Sequence, residues 1–390
     1  MKALTIGFVF DDTLDVLDGV QQHILTLGRE LSKRGHEVHY LVGQTEHPPV
    51  ANVHSLSRNK LVSFNGNQMR IPLFASDAAI RQVLERVDFD ILHVQAPYSP
   101  MLAGRVLQRA SAKTGLVATY HIATTGRLQL LAGQFLGLIN APSHRSIDQV
   151  IAVSEVAARY AQLTAGARGS IIPNPVDVAQ LELEREAAGP EAVERYREGG
   201  PHIVFLGRFV PRKGAQLLLD ALAWGEHEGI FPQGMHVTMA GKGPLLDTCR
   251  EQAQHLRTQV EFPGFVSESD KPTLLASADV AVFPSSGGES FGIVLLEAIA
   301  SGAGQTLAGD NPGYRSTLLN DEDALFPVAG EPELLAQRLA ERIARAFDDQ
   351  VWAQRLGKRE YQLLERYDVK SVANQVETVY QQALTGKRAQ

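Results

Sequence analysis

Apolar residues recur along this chain in two alternating rhythms, short continuous runs and helical stripes. The run Leu4-Thr5-Ile6-Gly7-Phe8-Val9-Phe10 predicts a buried strand over residues 3–10. A loop from Asp11 to Asp18 follows, and then Val20, Ile24, Leu27 and Leu31 fall at helical spacing. Gly35 stops that helix, and His36-Glu37-Val38-His39-Tyr40-Leu41-Val42 reads as the next strand. Strand, loop, helix, strand is a βαβ unit of the nucleotide-binding type. No G-x-G-x-x-G follows the first strand, so it is not the dinucleotide fingerprint. Further runs at 89–94, 115–121 and 149–154, with a short one at 170–175, alternate with helical segments near 76–87, 99–113 and 155–165. This predicts a parallel sheet covered on both faces, a class that binds ligands beyond the C-terminal ends of its strands.

Pro173-Asn174-Pro175-Val176-Asp177 breaks the rhythm, and the charged segment 178–200 reads as surface helix after a hinge. The pattern restarts at His202-Ile203-Val204-Phe205-Leu206, so two similar α/β halves are expected rather than one long sheet. A helix near 215–225, strands at 235–240, 260–262 and 279–283, a helix from about Ser290 to Gly302 and helices over 331–365 complete the second half. Gly304-Gln305-Thr306-Leu307 is weak as a strand. In the last stretch Val372, Val376, Val379 and Ala383 share one helical face, which must be buried; the helix is expected to lie across the domain junction. The expected boundaries are 1–175, 176–200, 201–366 and 367–390.

Composition narrows the classes. With 390 residues, 44% hydrophobic and 21% charged, the chain is long enough for two or three cored domains. A net charge of −7 gives no reason to expect a nucleic-acid partner. The single cysteine, Cys249, forms no internal disulfide, which fits a reducing compartment. The first apolar run is too short for a signal peptide or a span, and no other approaches spanning length. The expectation is a cytoplasmic protein, at most peripheral at the cytoplasmic membrane face.

The candidate chemistry centres on Gly287-Gly288-Glu289-Ser290-Phe291-Gly292-Ile293-Val294-Leu295-Leu296-Glu297. The stretch leaves a strand, turns through glycines and opens a helix with Ser290 as a suitable N-cap. Free amides and the helix dipole there form an anion site. Glu289 and Glu297 span roughly 12 Å if helical, enough to hold hydroxyls at either end of an extended nucleotide diphosphate sugar. The competing reading is a surface helix with two solvated glutamates. Arg208 and Lys213, between a strand end and a helix start, can clamp a diphosphate or form only a solvated basic turn; Arg212 is expected to face solvent. His121 sits at a strand end, where it is either packed or functional, and Gly19 heads a helix, as a turn or a phosphate contact. Asp11-Asp12 superficially suggests a metal pair.

Taken together, Gly19-Val20-Gln21, Gly-His-Glu-Val at 35–38, His121, Asn174, Gly-Arg-x4-Lys-Gly at 207–214, Gly-x-Gly-Pro at 241–244 and the E-x7-E pair Glu289 and Glu297 resemble the retaining glycosyltransferases of family 4 over nearly the whole chain. The similarity is strongest to the phosphatidylinositol mannosyltransferase-like subgroup, through Asp15-Val16, Gln21, His23 and Gly-Gly-Glu-Ser-Phe-Gly-Ile-Val-Leu. The resemblance implies the GT-B fold, two Rossmann-like domains facing across a cleft, with the last helix returning to the first domain. It implies an acceptor domain at 1–175 and a nucleotide-sugar donor domain at 201–366. By the same resemblance Arg208 and Lys213 hold the donor diphosphate, Glu289 the hexose hydroxyls and Glu297 the ribose. Gly19, Ser290, Phe291, Gly292 and Ile293 would meet the phosphates, Val266 and Glu268 would line the base pocket, and His121 would contact the sugar. Asp15, Gln21 and Arg127 would face the acceptor.

The donor would be GDP- or UDP-linked, with GDP favoured by the carboxylate of Glu268, and no cofactor or metal is implied. The chain departs from the subgroup at Leu17-Asp18 before Gly19, at Gly126 and in residues 77–88, which lack the basic run expected for membrane contact. Acceptor identity is therefore open. A nucleotide-sugar epimerase, or a non-catalytic nucleotide-sugar-binding protein on the same scaffold, is the alternative; loss of Arg208, Lys213 or Glu289 would have favoured the latter, and all three are present.

Overall fold

A computed structural model describes residues 2–64, 67–123, 126–197 and 199–388. The chain forms two compact units, Met1–Pro175 with Val369–Gln390, and Val176–Asp368. In the first, the strands are β1 (Thr5–Phe10), β2 (Glu37–Val42), β3 (Val53–Ser55), β4 (Ser57–Phe64), β5 (Asn67–Ala75), β6 (Ile91–Gln95), β7 (Gly115–Tyr120), β8 (Gln149–Ala152) and β9 (Ser170–Ile171). Seven of them make a parallel sheet in the order β3-β2-β1-β6-β7-β8-β9, while β4 and β5 form a separate antiparallel hairpin. The hairpin falls between the two elements expected from the periodicity at 36–42 and 76–87.

The helix Gly19–Lys33 lays Ile24, Leu27 and Leu31 on the sheet, where they join Ile6, Phe8 and Val38 in one core. The same core takes Val372, Val376, Val379, Tyr380 and Ala383 from the final helix, Val369–Arg388. Each such aliphatic side chain contributes about 1.5–3 kcal/mol by leaving water. Polar contacts fix the helix in register. Glu377 takes hydrogen bonds from His36 Nε2 at 3.0 Å and Arg34 Nη1 at 2.6 Å, and Tyr380 OH lies 2.8 Å from His93 Nδ1. The apolar face read from the sequence thus closes the first unit.

In the second unit β10 (His202–Leu206), β11 (His236–Ala240), β12 (Gln259–Gly264), β13 (Val280–Phe283), β14 (Gln305–Gly309) and β15 (Leu325–Phe326) form a parallel sheet in the order β12-β11-β10-β13-β14-β15. The stretch that is weak as a strand on propensity is β14. Pairing on both edges, Val280↔Gln305 through Phe283↔Ala308 and Ala308↔Leu325, overrides its composition. Val176 donates its N–H to the Tyr367 carbonyl at 2.9 Å, so the chain enters and leaves this unit side by side. In both sheets the strand order reverses beside the first strand, between β1 and β6 and between β10 and β13, and open α/β sheets bind ligands at such reversals.

Candidate active site

In the second unit, the loops after β10 and β13 flank the reversal and carry the residues singled out by the sequence. After β10 the backbone makes a 3-10 turn at Pro211–Lys213 and leaves it through Gly214, whose φ is +71°. A Cβ on Gly214 would stand 2.0 Å from the Pro284 carbonyl oxygen, so only glycine lets the two loops touch. The contact is hydrogen-bonded: the Ser286 N–H donates to the Arg212 carbonyl at 2.8 Å, and Ser285 Oγ lies 3.0 Å from the same oxygen.

The Glu289 carboxylate lies where the loops meet. Its Oε1 accepts from Arg212 Nη1 at 2.5 Å and from Ser285 Oγ at 2.8 Å, and Lys213 Nζ is 2.8 Å away. Burial alone would raise its pKa, but the charges of Lys213 and Arg212 outweigh that and hold it below the usual glutamate range. Arg212, expected in solvent, is therefore the closest partner of Glu289, because the tight turn points both cations inward. Arg208 is half-buried in the same loop, and its guanidinium pairs with no carboxylate among the described residues.

The helix expected to start at Ser290 runs Ile293–Ser301 and is capped by Gly292 at φ +107°. A Cβ at Gly292 would fall 2.5 Å from Tyr314 Cδ1, and this left-handed glycine delays the helix so that Ser290 is not its cap. The loop before it is fixed: Asn311 Nδ2 donates to the Ser285 carbonyl at 2.9 Å and Thr317 Oγ1 to the Phe291 carbonyl at 2.6 Å. Phe291 is buried edge-on against Tyr367, with ring centroids 5.6 Å apart. Ile293 and Val294, in the first turn, have amides that no helical carbonyl can satisfy.

Glu297, one turn in, is buried and accepts from Lys271 Nζ at 2.6 Å; the same ammonium donates to Glu268 at 2.7 Å. Burial works against the charge on Lys271, yet Glu297 and Glu268 raise its pKa above the lysine norm. Glu268 and half-buried Val266 lie on the loop after the edge strand β12. Lys271, Arg212 and Ser285 escape periodicity. The available signals were the adjacency of Arg212 to Lys213, a serine four residues before Glu289, and a lysine three after Glu268.

In the first unit His121 directly follows β7, beside Gln95 at the end of β6. His121 is buried with Nε2 2.7 Å from Gln95 Oε1, an oxygen that can only accept, so Nε2 carries the proton. His23 meets His121 edge-on at 4.8 Å and donates from Nδ1 to Asn174 Oδ1 at 2.9 Å. Burial, and then the neighbouring His23 and His93, pushes His121 well below the histidine range, so the ring is neutral. His23 Nε2 and Gln95 Nε2 are buried without partners among the described residues. Ala96, directly after β6, has φ +49°, a strained value for a side chain with a Cβ.

Gly19 is the first residue of its helix, exposed, and a Cβ there would meet nothing within 4 Å, so packing does not require a glycine. Asp18 is exposed and its side chain does not cap the helix. Gln21 is buried and donates to the Thr13 carbonyl at 3.2 Å, while Asp15 accepts the N–H groups of Glu46 and His47 at 2.9 and 2.8 Å. Both shape the loop after β1. Arg127 is exposed at a helix start; Thr124 and Thr125 before it lie outside the described residues. Asp11 accepts the Ala103 N–H at 2.8 Å, and no three His, Cys, Asp or Glu side chains cluster as metal ligands among the described residues.

Residues 17–180 match the profile of Glycosyltransferase Family 4, and residues 191–363 that of Glycosyl transferases group 1. The phosphatidyl-myo-inositol mannosyltransferase of Mycobacterium tuberculosis is 33% identical over 97% of this chain and 97% of its own length. The chain belongs to glycosyltransferase family 4. This family 4 enzyme is a retaining hexosyltransferase that takes its sugar from a nucleotide sugar. Its fold is GT-B. A glycosyltransferase from Rickettsia africae superimposes with a TM-score of 0.73 at 15% identity, covering 98% of this chain and 99% of that one. HepE from Anabaena, crystallised with UDP and glucose, gives 0.69 at 18% identity over 96% and 98%.

Proposed function

We propose that this family 4 enzyme transfers mannose or another hexose, without a metal ion, from GDP-mannose or a UDP-hexose to a lipid, glycan or small-molecule acceptor. The observation that carries the reading is the Arg212–Lys213–Glu289 cluster at the strand-order reversal. A donor diphosphate would sit on the first turn of the helix Ile293–Ser301, neutralised by Arg208 and Lys213, and its sugar hydroxyls would donate to Glu289. Glu297, held by Lys271, would take the ribose hydroxyls. Glu268 at the base offers a carboxylate to the N–H groups of guanine, which favours a GDP donor; the UDP in HepE from Anabaena favours the other.

In the reaction the bond from the anomeric carbon to the diphosphate breaks while an acceptor oxygen bonds to that carbon on the same face. The departing phosphate oxygen takes the acceptor proton. The protein contributes position and positive charge for the leaving group rather than a dedicated base. The roles of Gly19 and His121 on the donor, and of Asp15, Gln21 and Arg127 on the acceptor, stand on the family resemblance. So does the assignment of 1–175 to the acceptor and 201–366 to the donor. The relatives' phosphatidyl-myo-inositol makes a phospholipid acceptor at a membrane surface the favoured choice.

A thermal-shift and hydrolysis screen over GDP-mannose, UDP-glucose and UDP-N-acetylglucosamine tests the donor. One nucleotide sugar should stabilise the protein and be slowly hydrolysed. Lys213→Ala should weaken nucleoside diphosphate binding about tenfold or more, the value of a charge-assisted hydrogen bond. Unchanged affinity by calorimetry would remove Lys213 from the diphosphate site.

A further inference from the structure

The helix Arg127–Ile139 is built inside out. Its buried residues are Gly133 and Gly137. They face the helix Glu155–Ala165, where a Cβ on Gly133 would stand 2.3 Å from the Tyr160 hydroxyl and one on Gly137 1.7 Å from the Thr164 carbonyl oxygen. With glycines as the packing stripe, Leu130 packs inward beside them and most of the other large apolar side chains fall on the opposite arc. Leu128 is 83% exposed, Leu138 76%, Phe135 65% and Leu131 61%. A surface helix in water turns its leucines inward, and an exposed apolar patch of this kind marks an interaction site.

Charge says what covers it. From Ile91 to Ile147 the chain has no aspartate or glutamate, although the protein as a whole carries −7. Of the cations in that stretch, Arg105 and Arg109 are spent on Asp77. Arg127 at the helix start and Arg145, after the short helix Ala141–His144 that follows, are exposed; Glu155, also exposed, opens the neighbouring helix. An apolar arc with exposed arginines before and after it in the chain and no carboxylate of its own fits a helix lying in the headgroup plane of an anionic bilayer. A second copy of the chain fits less well, since a symmetric contact would set the same arginines against each other.

We propose that the helix Arg127–Ile139 docks this enzyme on an anionic lipid surface, with Leu128, Leu131, Phe135 and Leu138 entering the acyl boundary. The docking element is then this helix and not Asp77–Arg86, whose carboxylate holds the nearby arginines. The inference deepens the reading of a membrane-borne acceptor, but its test needs no turnover.

The test is co-flotation of the full chain with vesicles of phosphatidylcholine alone or mixed equally with phosphatidylglycerol. The wild type should float with the mixed vesicles only, and salt should weaken the association without abolishing it. Leu131→Glu/Phe135→Glu should cut the floated fraction about tenfold, with Tm and donor hydrolysis unchanged. Phe135→Trp should show a blue-shifted emission when mixed vesicles are added. Flotation of the double variant like the wild type, or an unshifted tryptophan, overturns the proposal. So does a wild-type dimer that the double variant splits while flotation stays the same. If no donor is hydrolysed while flotation behaves as stated, the transferase reading falls and the docking surface stands.

Discussion

Glu289 is a carboxylate whose donors, Arg212, Lys213 and Ser285, are all in place before any ligand arrives. On the proposed reading a donor diphosphate would compete with it for both cations, and the residue would both orient the sugar and restrain the cations. Glu289→Gln separates these roles. The amide keeps an acceptor for Ser285 but gives the cations no counter-charge. Turnover should fall by about 100-fold or more, while nucleoside diphosphate affinity, read by calorimetry, should stay the same or tighten. Near-normal turnover would remove Glu289 from the reaction. Glu289, Lys213 and Glu297 were legible because their motifs repeat in a known family. Arg212 was not, because the turn that points both adjacent cations inward depends on the left-handed Gly214 and its contact with Pro284. His121 was legible by position, but its neutral state depends on burial and then on His23 and His93, which arrive from other elements.

Among the elements, β14 shows how tertiary contact overrides a poor local signal. Its second residue, Thr306, donates its N–H to both oxygens of Glu360, each at 3.1 Å, from the helix Gln350–Tyr367. Burial, only partly offset by that hydrogen bond, pushes Glu360 from 4.5 up to about 8. The folded pKa exceeds the unfolded one, so the contribution to stability is complete below about pH 4.5 and is lost as the pH rises through 8. Glu360→Gln mimics the neutral form. It should leave stability nearly unchanged near pH 4 and raise it by up to about 5 kcal/mol above pH 9 in urea titrations. A pH-independent difference would mean that Glu360 is ionised throughout. The alternation of strand and helix was readable because parallel sheets are buried on both sides and so demand continuous apolar runs. The hairpin β4–β5 lies outside the parallel sheet and obeys no such demand, and the delayed start of the helix Ile293–Ser301 depends on Gly292 rather than on a capping side chain.

At the scale of the whole molecule, the first unit is discontinuous in sequence and the second is not. His93 is fully buried and satisfied by Tyr380 OH at 2.8 Å and Thr119 Oγ1 at 2.6 Å. Tyr380→Phe would leave its Nδ1 without a partner and should destabilise the first unit by about 1–3 kcal/mol, seen as a lower denaturation midpoint. Donor affinity, which on the proposed reading belongs to the second unit, should not change. Loss of donor affinity in this variant would mean that the two units do not fold independently. The final helix also constrains the order of events at the ribosome. The core around β1 waits for Val372, Val376 and Tyr380, so the first residues to leave the exit tunnel cannot finish folding until the last ones emerge. The second unit, one uninterrupted segment, can fold while its predecessor is still open. A nascent chain released early at Asp368 would carry a finished second unit tethered to a first unit with its apolar flank exposed to chaperones and proteases.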